Sequence, residues 1–231
     1  MIKIRQLSFG YQKDRPILQD ISLDFDEGKV HGILGMNGAG KTSFFKALTG
    51  SLPYDGNILF NEKGQSDFLA TQRNQISSYL GQEPTYDFLT GREYLKSQIN
   101  LRGLDDEAFR FAMDLAKRLR FDKWLDTRIS NYSLGSLCKI ELTSQILCGG
   151  NYLILDEPTN SLDAHSIISL RHILEQLRLE GKTVLVSSHN LDFLNKTCDT
   201  FAFLGDNSVK LIINTEDFDL EQEYLKRTPG V

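Results

Sequence analysis

The chain has 231 residues, of which 40% are hydrophobic and 25% are charged, and its formal net charge is −5. These values are typical of a globular protein with one large domain, or one domain carrying a subdomain, and the acidic charge argues against a nucleic-acid partner. The first residues lack the apolar core of a secretory signal, and no apolar run approaches the ~18 residues that cross a bilayer, so a membrane role would require docking on a separate partner.

The first third of the chain predicts strands around a glycine-rich turn. Apolar and polar residues alternate within 1–25, as in half-buried strands, and a short apolar strand is expected at 30–34. Helical spacing of apolar residues follows at 44–48, with Gly50 as its stop. Further strands are expected at 55–60 and 76–80.

Beyond residue 89 the pattern changes to helices and then returns to buried strands. One helix carries an apolar stripe at 108–119 with Asp105 or Asp106 as N-cap, and another begins near Leu134 and ends at 149–150. Strands are expected at 152–156, 183–187, 200–204 and 209–213, with an amphipathic helix at 164–180. Strand, helix and strand in this order predict a parallel sheet with right-handed crossovers.

The strand at 30–34 leads into Gly35-Met36-Asn37-Gly38-Ala39-Gly40-Lys41-Thr42, which matches the phosphate-loop pattern G-x-x-x-x-G-K-[ST]. Glycines let backbone N–H groups point at phosphate oxygens, and the following helix presents its positive end to the same anion. Lys41 can reach the β- and γ-phosphates, and the Thr42 hydroxyl can ligate Mg²⁺. The expected nucleotide contacts are Asn37, Gly38, Ala39, Gly40, Lys41, Thr42 and Ser43.

A second candidate element is the buried strand that ends in Asp156 and Glu157. Taken alone, this pair is equally well explained as the start of a solvated loop. Beside a phosphate loop, Asp156 is expected to hold Mg²⁺, and Glu157 is expected to polarise the attacking water as general base.

These motifs resemble those of the ATP-binding-cassette (ABC) ATPases. The phosphate loop, LILDEP at 153–158, Ser161-Leu162-Asp163 and Ser187-Ser188-His189 stand in the order and spacing of that family. The segment 79–84 resembles the family's glutamine loop, and Phe9-Gly10-Tyr11 resembles its adenine-stacking aromatic. The resemblance covers roughly residues 2 to 215.

The resemblance implies a role for each matching position. Tyr11 would stack on adenine, His189 would hydrogen-bond the γ-phosphate, and Asp163 would lie at a dimer interface while also capping the helix that follows it. Gln82 would contact Mg²⁺ and the attacking water, which makes Thr42, Gln82 and Asp156 the implied metal ligands.

The family's signature segment corresponds to residues 132–139, which we call the signature segment here. Ser133 and Gly135 are retained and would reach across a dimer to the nucleotide of a second subunit. Leu137 and Cys138 replace polar residues. Two outcomes remain open: a working signature, or a weaker or asymmetric site.

The implied fold is α/β, a P-loop NTPase (RecA-like) mixed-sheet core with an antiparallel β subdomain and an inserted α-helical subdomain. We expect one ABC-type domain over 1–231, with a core lobe at 1–84 and 151–215, a helical subdomain at 85–150 and a tail at 216–231. The implied function is the ATP-binding and ATP-hydrolysing subunit of a transporter. It would pair with itself or a second ABC ATPase and dock on a transmembrane permease at the cytoplasmic face of the cell membrane.

Two alternatives remain open: an ABC ATPase that acts outside transport, such as an assembly factor, and a nucleotide-sensing module without turnover. The three cysteines, Cys138, Cys148 and Cys198, form no CxxC pair and are expected to be free thiols in a reducing compartment. His31, His165 and His172 match no motif, and structural or solvated positions are expected for them.

Overall fold

A computed structural model describes residues 1–10, 16–81, 86–148, 150–205, 208–215 and 218–227. Its strands are β1 (Ile2–Phe9), β2 (Leu18–Phe25), β3 (Val30–Leu34), β4 (Asp55–Phe60), β5 (Lys63–Gly64), β6 (Ile76–Tyr79), β7 (Tyr152–Leu155), β8 (Thr183–Ser187), β9 (Thr200–Gly205) and β10 (Ser208–Ile213). Its helices are α1 (Lys41–Leu48), α2 (Gln65–Gln72), α3 (Gly91–Leu101), α4 (Asp106–Arg118), α5 (Leu134–Leu147), α6 (Ala164–Leu179), α7 (Leu191–Thr197) and α8 (Leu220–Arg227).

The strands form two sheets. A four-stranded antiparallel sheet has the order β2-β1-β4-β5, and a six-stranded sheet has the order β10-β9-β3-β8-β7-β6. In the larger sheet β9, β3, β8, β7 and β6 run parallel, and β10 is an antiparallel edge strand. The carboxyl ends of β3, β7 and β8 therefore meet at one edge, although β3 precedes the other two strands by more than a hundred residues.

The larger sheet separates two hydrophobic cores. In β7, Tyr152 and Ile154 face the core shared with the antiparallel sheet and α1, whereas Leu153 and Leu155 face the core built by α3, α4, α5 and α6. Because successive strand residues point to opposite faces, a strand covered on both faces is mostly apolar. This explains why β3, β7 and β8, in which every residue is buried, consist largely of apolar residues.

Three expected helix ends, the starts of α4 and α6 and the end of α1, are confirmed. Asp105 caps α4 by accepting hydrogen bonds from the backbone of Glu107 and Ala108, and Asp163 caps α6 through Ser166. Gly50 follows α1 with φ +73°, a conformation that glycine adopts without steric cost. Helices α2, α7 and α8 were not predicted; α2 has no apolar stripe and α7 has seven residues.

The unassigned histidines have the expected structural or solvated positions. His31 is buried, with Nδ1 2.6 Å from the Thr200 hydroxyl and Nε2 2.9 Å from the Asp26 carbonyl oxygen. His165 and His172 are exposed on α6.

Within the described ranges, none of the helices combines the length and the apolarity needed to span a bilayer.

Candidate functional site

The loop between β3 and α1 curls tightly around its glycines. A Cβ atom on Gly35 would lie 2.6 Å from the Leu204 carbonyl oxygen, and one on Gly40, which has φ +95°, would lie 2.4 Å from Ile17. Both positions therefore require glycine on steric grounds. The Lys41 ammonium is buried inside this curl and donates a 2.9 Å hydrogen bond to the Gly35 carbonyl oxygen. Burial lowers the pKa of Lys41.

The first turn of α1 lacks the features that usually satisfy a helix N-terminus. Its N-cap, Gly40, has no side chain to accept from the free N–H groups, and no acidic residue lies in the first turn. By contrast, α3, α4, α5, α6 and α7 each carry a side-chain cap. The lack of a side-chain cap and the helix dipole at α1 favour an external anion.

The carboxyl end of β7 brings an oxygen-rich group to this loop. Thr42 donates a hydrogen bond from its hydroxyl to Asp156 Oδ2. The Ser187 hydroxyl, at the end of the neighbouring β8, donates to Asp156 Oδ1 at 2.6 Å and accepts from the Glu157 backbone N–H at 2.9 Å. Ser187 thus orients both acidic residues.

Glu157 has a left-handed backbone, with φ +50°, which a non-glycine residue adopts only when its surroundings compel it. Its Oε2 accepts from the His189 backbone N–H at 3.1 Å. Its buried Oε1 has no hydrogen-bond partner among the described residues and lies 3.3 Å from His189 Nε2 and 3.9 Å from Lys41 Nζ. Burial raises the pKa of Glu157, and the neighbouring His189 and Lys41 oppose part of that shift.

These groups line one cleft of about 380 Å³ at the carboxyl edge of the larger sheet. The cleft brings together the following predicted site residues: Asn37, Gly38, Gly40, Lys41, Thr42, Ser43, Asp156, Glu157 and His189. Ala39 lies within the same loop. Tyr11 and Gln82 lie outside the described residues.

Ser133, Gly135 and Asp163 do not line this cleft but form a second cluster. Ser133 caps α5 by accepting from the Ser136 N–H at 3.2 Å, and a Cβ on Gly135 would lie 2.7 Å from the Ser161 carbonyl oxygen. The first turn of α5 therefore packs closely on residues 161–163. The structure also accounts for the unusual Cys138, which is buried with Sγ 3.5 Å from the Pro158 carbonyl oxygen.

Two residues of the site were not assigned a role from the sequence. Ser187 belongs to a motif that was recognised, but only the strand order shows that its hydroxyl reaches Asp156. Lys139, nearly buried on α5, donates a 2.7 Å hydrogen bond to Asp163 Oδ2, and this contact is the main reason that the pKa of Asp163 lies well below its usual value. A lysine in the apolar stretch of α5 was the available signal.

A family model described as ABC transporter matches residues 18–160 of the chain. The chain is 32% identical to the ABC transporter ATP-binding protein AlbC of Bacillus subtilis, over 98% of this chain and 97% of AlbC. It is 29% identical to the lantibiotic transport ATP-binding protein SrtF of Streptococcus pyogenes, over 91% of this chain and 90% of SrtF. The chain therefore belongs to the ABC transporter family, in the class of its ATP-binding subunits, and it is an ATPase.

Solved structures agree on the fold. An ATP-binding subunit of an ABC transporter superimposes with a TM-score of 0.88, at 24% identity, over 98% of each chain. An ATP-binding cassette in a dimeric, post-hydrolysis state, with ADP and phosphate, gives a TM-score of 0.81 at 17% identity, over 93% of this chain and 99% of that one. The predicted P-loop NTPase fold with its mixed sheet is confirmed.

Proposed function

We propose that the cleft at 35–43, 156–157 and 189 binds Mg-ATP and hydrolyses it between two subunits to drive a separate membrane permease. One observation carries the proposal: a buried lysine, an uncapped helix N-terminus, a hydroxyl–carboxylate pair and an unpaired carboxylate oxygen converge on one cleft. Each of these groups suits a different part of a nucleoside triphosphate and its attacking water.

The residues of the cleft divide the binding of ATP among them. The backbone N–H groups of the loop and the N-terminus of α1 would hold the phosphates, and Lys41 would exchange its bond to the Gly35 carbonyl for phosphate oxygens. His189, exposed at the rim, would hydrogen-bond the terminal phosphate. Tyr11 would stack on the adenine.

The residues present fit a magnesium ion. Thr42 and Asp156 offer a hydroxyl and a carboxylate in direct contact, and Mg²⁺ is commonly held by one or two such oxygens together with substrate phosphates. Thr42, Asp156 and Gln82 would hold the ion, which neutralises charge on the phosphates when it is bound. A full cage of protein ligands is not required for this mode of binding.

Glu157 would act on the attacking water. Its Oε1 is buried and lacks a hydrogen-bond donor, and burial favours uptake of a proton because it raises the carboxyl pKa. Glu157 would orient the water and accept its proton as the oxygen attacks the terminal phosphorus. Ser187 and the His189 backbone hold the residue in place.

The signature segment would complete the site of a second subunit. Ser133 and Gly135 lie outside the cleft of their own chain, so they would reach nucleotide only across a dimer, with Asp163 near the interface. The partner is a second copy or another ABC ATPase. We further propose that the dimer docks, near its helical subdomain, on a transmembrane permease at the cytoplasmic face of the membrane, and that this permease selects the cargo.

The test is steady-state hydrolysis of Mg-ATP by the purified chain and its Glu157→Gln variant. Loss of a general base typically costs about 10²–10⁴-fold in rate, so the variant should lose that much turnover while retaining ATP. The isosteric change at another acidic residue, Glu175→Gln on α6, is the control and should hydrolyse normally. Wild-type turnover in Glu157→Gln would overturn the assignment. Co-purification of the chain with a membrane protein tests the transport role.

A further inference from the structure

The helix that begins at the signature segment carries an unexpected buried carboxylate. Glu141 lies in the middle of α5, within a run of buried residues at 138–144, and is only 9% exposed. No ion pair to Glu141 forms within the described ranges. Its Oε1 accepts a 2.6 Å hydrogen bond from the hydroxyl of Tyr94, which is itself buried.

Tyr94 belongs to α3, the first helix of the helical subdomain. The start of α3 is held by a capping box between Thr90 and Glu93, and Tyr94 forms its first backbone bond to Thr90. The Tyr94 ring also lies 6.2 Å from the ring of Tyr86. Tyr86 follows the segment 79–84, which resembles the family's glutamine loop. The Tyr94–Glu141 bond therefore joins α5 to α3, whose first turn is fixed by its capping box.

Packing alone does not account for this pair. A carboxylate among apolar side chains is costly to bury, and well-packed apolar residues commonly replace such groups without loss of stability. A buried hydrogen bond is directional, so it forms only at one rotation and one axial position of α5 relative to α3. Apolar contacts, by contrast, tolerate small shifts between the two helices. The turn carrying Ser133 and Gly135 lies about two turns from Glu141 on the same helix.

We infer that Tyr94 and Glu141 form a positioning pair for ATP hydrolysis, which sets the register of α5 so that Ser133 and Gly135 meet the nucleotide of the second subunit. This inference rests on the proposed function. Neither residue touches the nucleotide; both act through α5. The pair should therefore affect turnover in the dimer and leave nucleotide binding to a single chain unchanged.

The experiment compares three variants of the full chain: Tyr94→Phe with Glu141→Leu, which replaces the pair by apolar groups, Glu141→Gln, which keeps an acceptor for the Tyr94 hydroxyl, and Tyr152→Phe as control. Tyr152 makes a comparable 2.8 Å bond to Asn61 and belongs to the core on the opposite face of the larger sheet from α5. For each variant we measure the melting temperature, the ATP affinity by calorimetry without Mg²⁺, and kcat and KM for Mg-ATP.

The double variant should melt no lower than wild type and bind ATP equally well, yet its kcat should fall by about 10-fold, since a hydrogen bond to a charged group contributes a factor of this order. Glu141→Gln and Tyr152→Phe should stay within about twofold of wild-type kcat. If the wild type hydrolyses ATP and the double variant has the same kcat, this inference alone is overturned. A wild-type chain without turnover overturns the proposed function and this inference together.

Discussion

At the scale of single residues, Lys41 shows how the cleft is prepared for an anion. Its ammonium is buried, and its carbonyl partner belongs to the same loop that would bind phosphate. Because burial already disfavours the charged form, the amine gains much from a strongly anionic partner. A substitution at Lys41 should therefore weaken ATP binding more than it lowers the free energy of unfolding.

We predict that Lys41→Ala lowers ATP affinity by about 10- to 100-fold, because a charge-assisted hydrogen bond contributes about 1.5–3 kcal/mol. Isothermal calorimetry with Mg-ATP measures the change. Lys46→Ala is the matched control, since Lys46 lies in the last turn of the same helix and does not line the cleft. Equal affinity in wild type and Lys41→Ala would refute the phosphate-loop assignment.

A second residue, His31, should make stability depend on pH. Burial lowers its pKa, and in the neutral form one ring nitrogen donates to the Asp26 carbonyl oxygen while the other accepts from the Thr200 hydroxyl. A lowered pKa in the folded state means that the unfolded chain binds the proton first. The stabilisation is thus complete above the unfolded pKa of about 6.5 and is lost as pH falls through the lower folded value.

We expect the free energy of unfolding in urea to fall from pH 7.5 to pH 5.5, by up to about 1.4 kcal/mol per pH unit for one such group. In His31→Gln, which keeps a donor and an acceptor but does not titrate, this fall should be smaller. Identical pH profiles for the two proteins would show that other groups, such as Asp26, whose pKa is lowered by Lys29, control the effect.

At the scale of elements, the contact between α5 and the segment 161–163 positions the signature segment. Gly135 leaves space for the Ser161 carbonyl oxygen, and Lys139 pairs with Asp163 one turn further along. Lys139 is nearly buried and Asp163 is about half exposed, so the pair sits at the boundary of the core. These contacts hold the start of α5 against the cap of α6.

Gly135→Ala should separate the two elements. Its Cβ would lie 2.7 Å from a backbone oxygen, and overpacking of this kind typically costs about 1–3 kcal/mol, more than the gain of up to about 1 kcal/mol from replacing glycine in a helix. Urea unfolding should show a net loss of stability, and ATP turnover should fall. Gly205→Ala, where the added Cβ meets no atom within 4 Å, should change neither. A Gly135→Ala chain as stable as wild type would mean that α5 shifts freely.

At the scale of the whole molecule, the site is divided between two surfaces. The cleft holds the phosphate loop, Asp156, Glu157 and His189, whereas Ser133 and Gly135 lie elsewhere on the same chain. Under the proposed function, a complete site would need a second subunit, with the terminal phosphate bridging the two. Association of the two subunits should therefore depend on which nucleotide is bound and on whether that nucleotide is hydrolysed.

We predict that Glu157→Gln forms a dimer in Mg-ATP and that wild type with ADP is monomeric, because the bridging phosphate is then absent. Light scattering of both proteins with Mg-free ATP, Mg-ATP and ADP measures this. A Glu157→Gln chain that stays monomeric at saturating ATP would point to a different ABC ATPase as natural partner or to weak contacts from the altered signature segment. Polar residues at Leu137 and Cys138 distinguish the two, since they restore dimers only in the second case.

Features whose physical cause is local could be read directly from the amino-acid sequence. The phosphate loop is eight consecutive residues whose glycines and lysine act within one turn, and the caps Asp105 and Asp163 act on the helix that follows each of them. Strands covered on both faces are mostly apolar, so β3, β7 and β8 were predictable from residue type alone. Their order along the chain was sufficient to predict a parallel sheet.

Contacts between residues far apart in the chain became visible only in the folded structure. Ser187 reaches Asp156 because β8 lies beside β7, and Lys139 and Glu141 find Asp163 and Tyr94 because α5 packs between other elements. Likewise, Cys138 departs from the family pattern in the sequence but fills a buried position in the fold. No local pattern encodes such contacts, since a side chain's partner across the core depends on strand order and helix packing rather than on its neighbours along the chain.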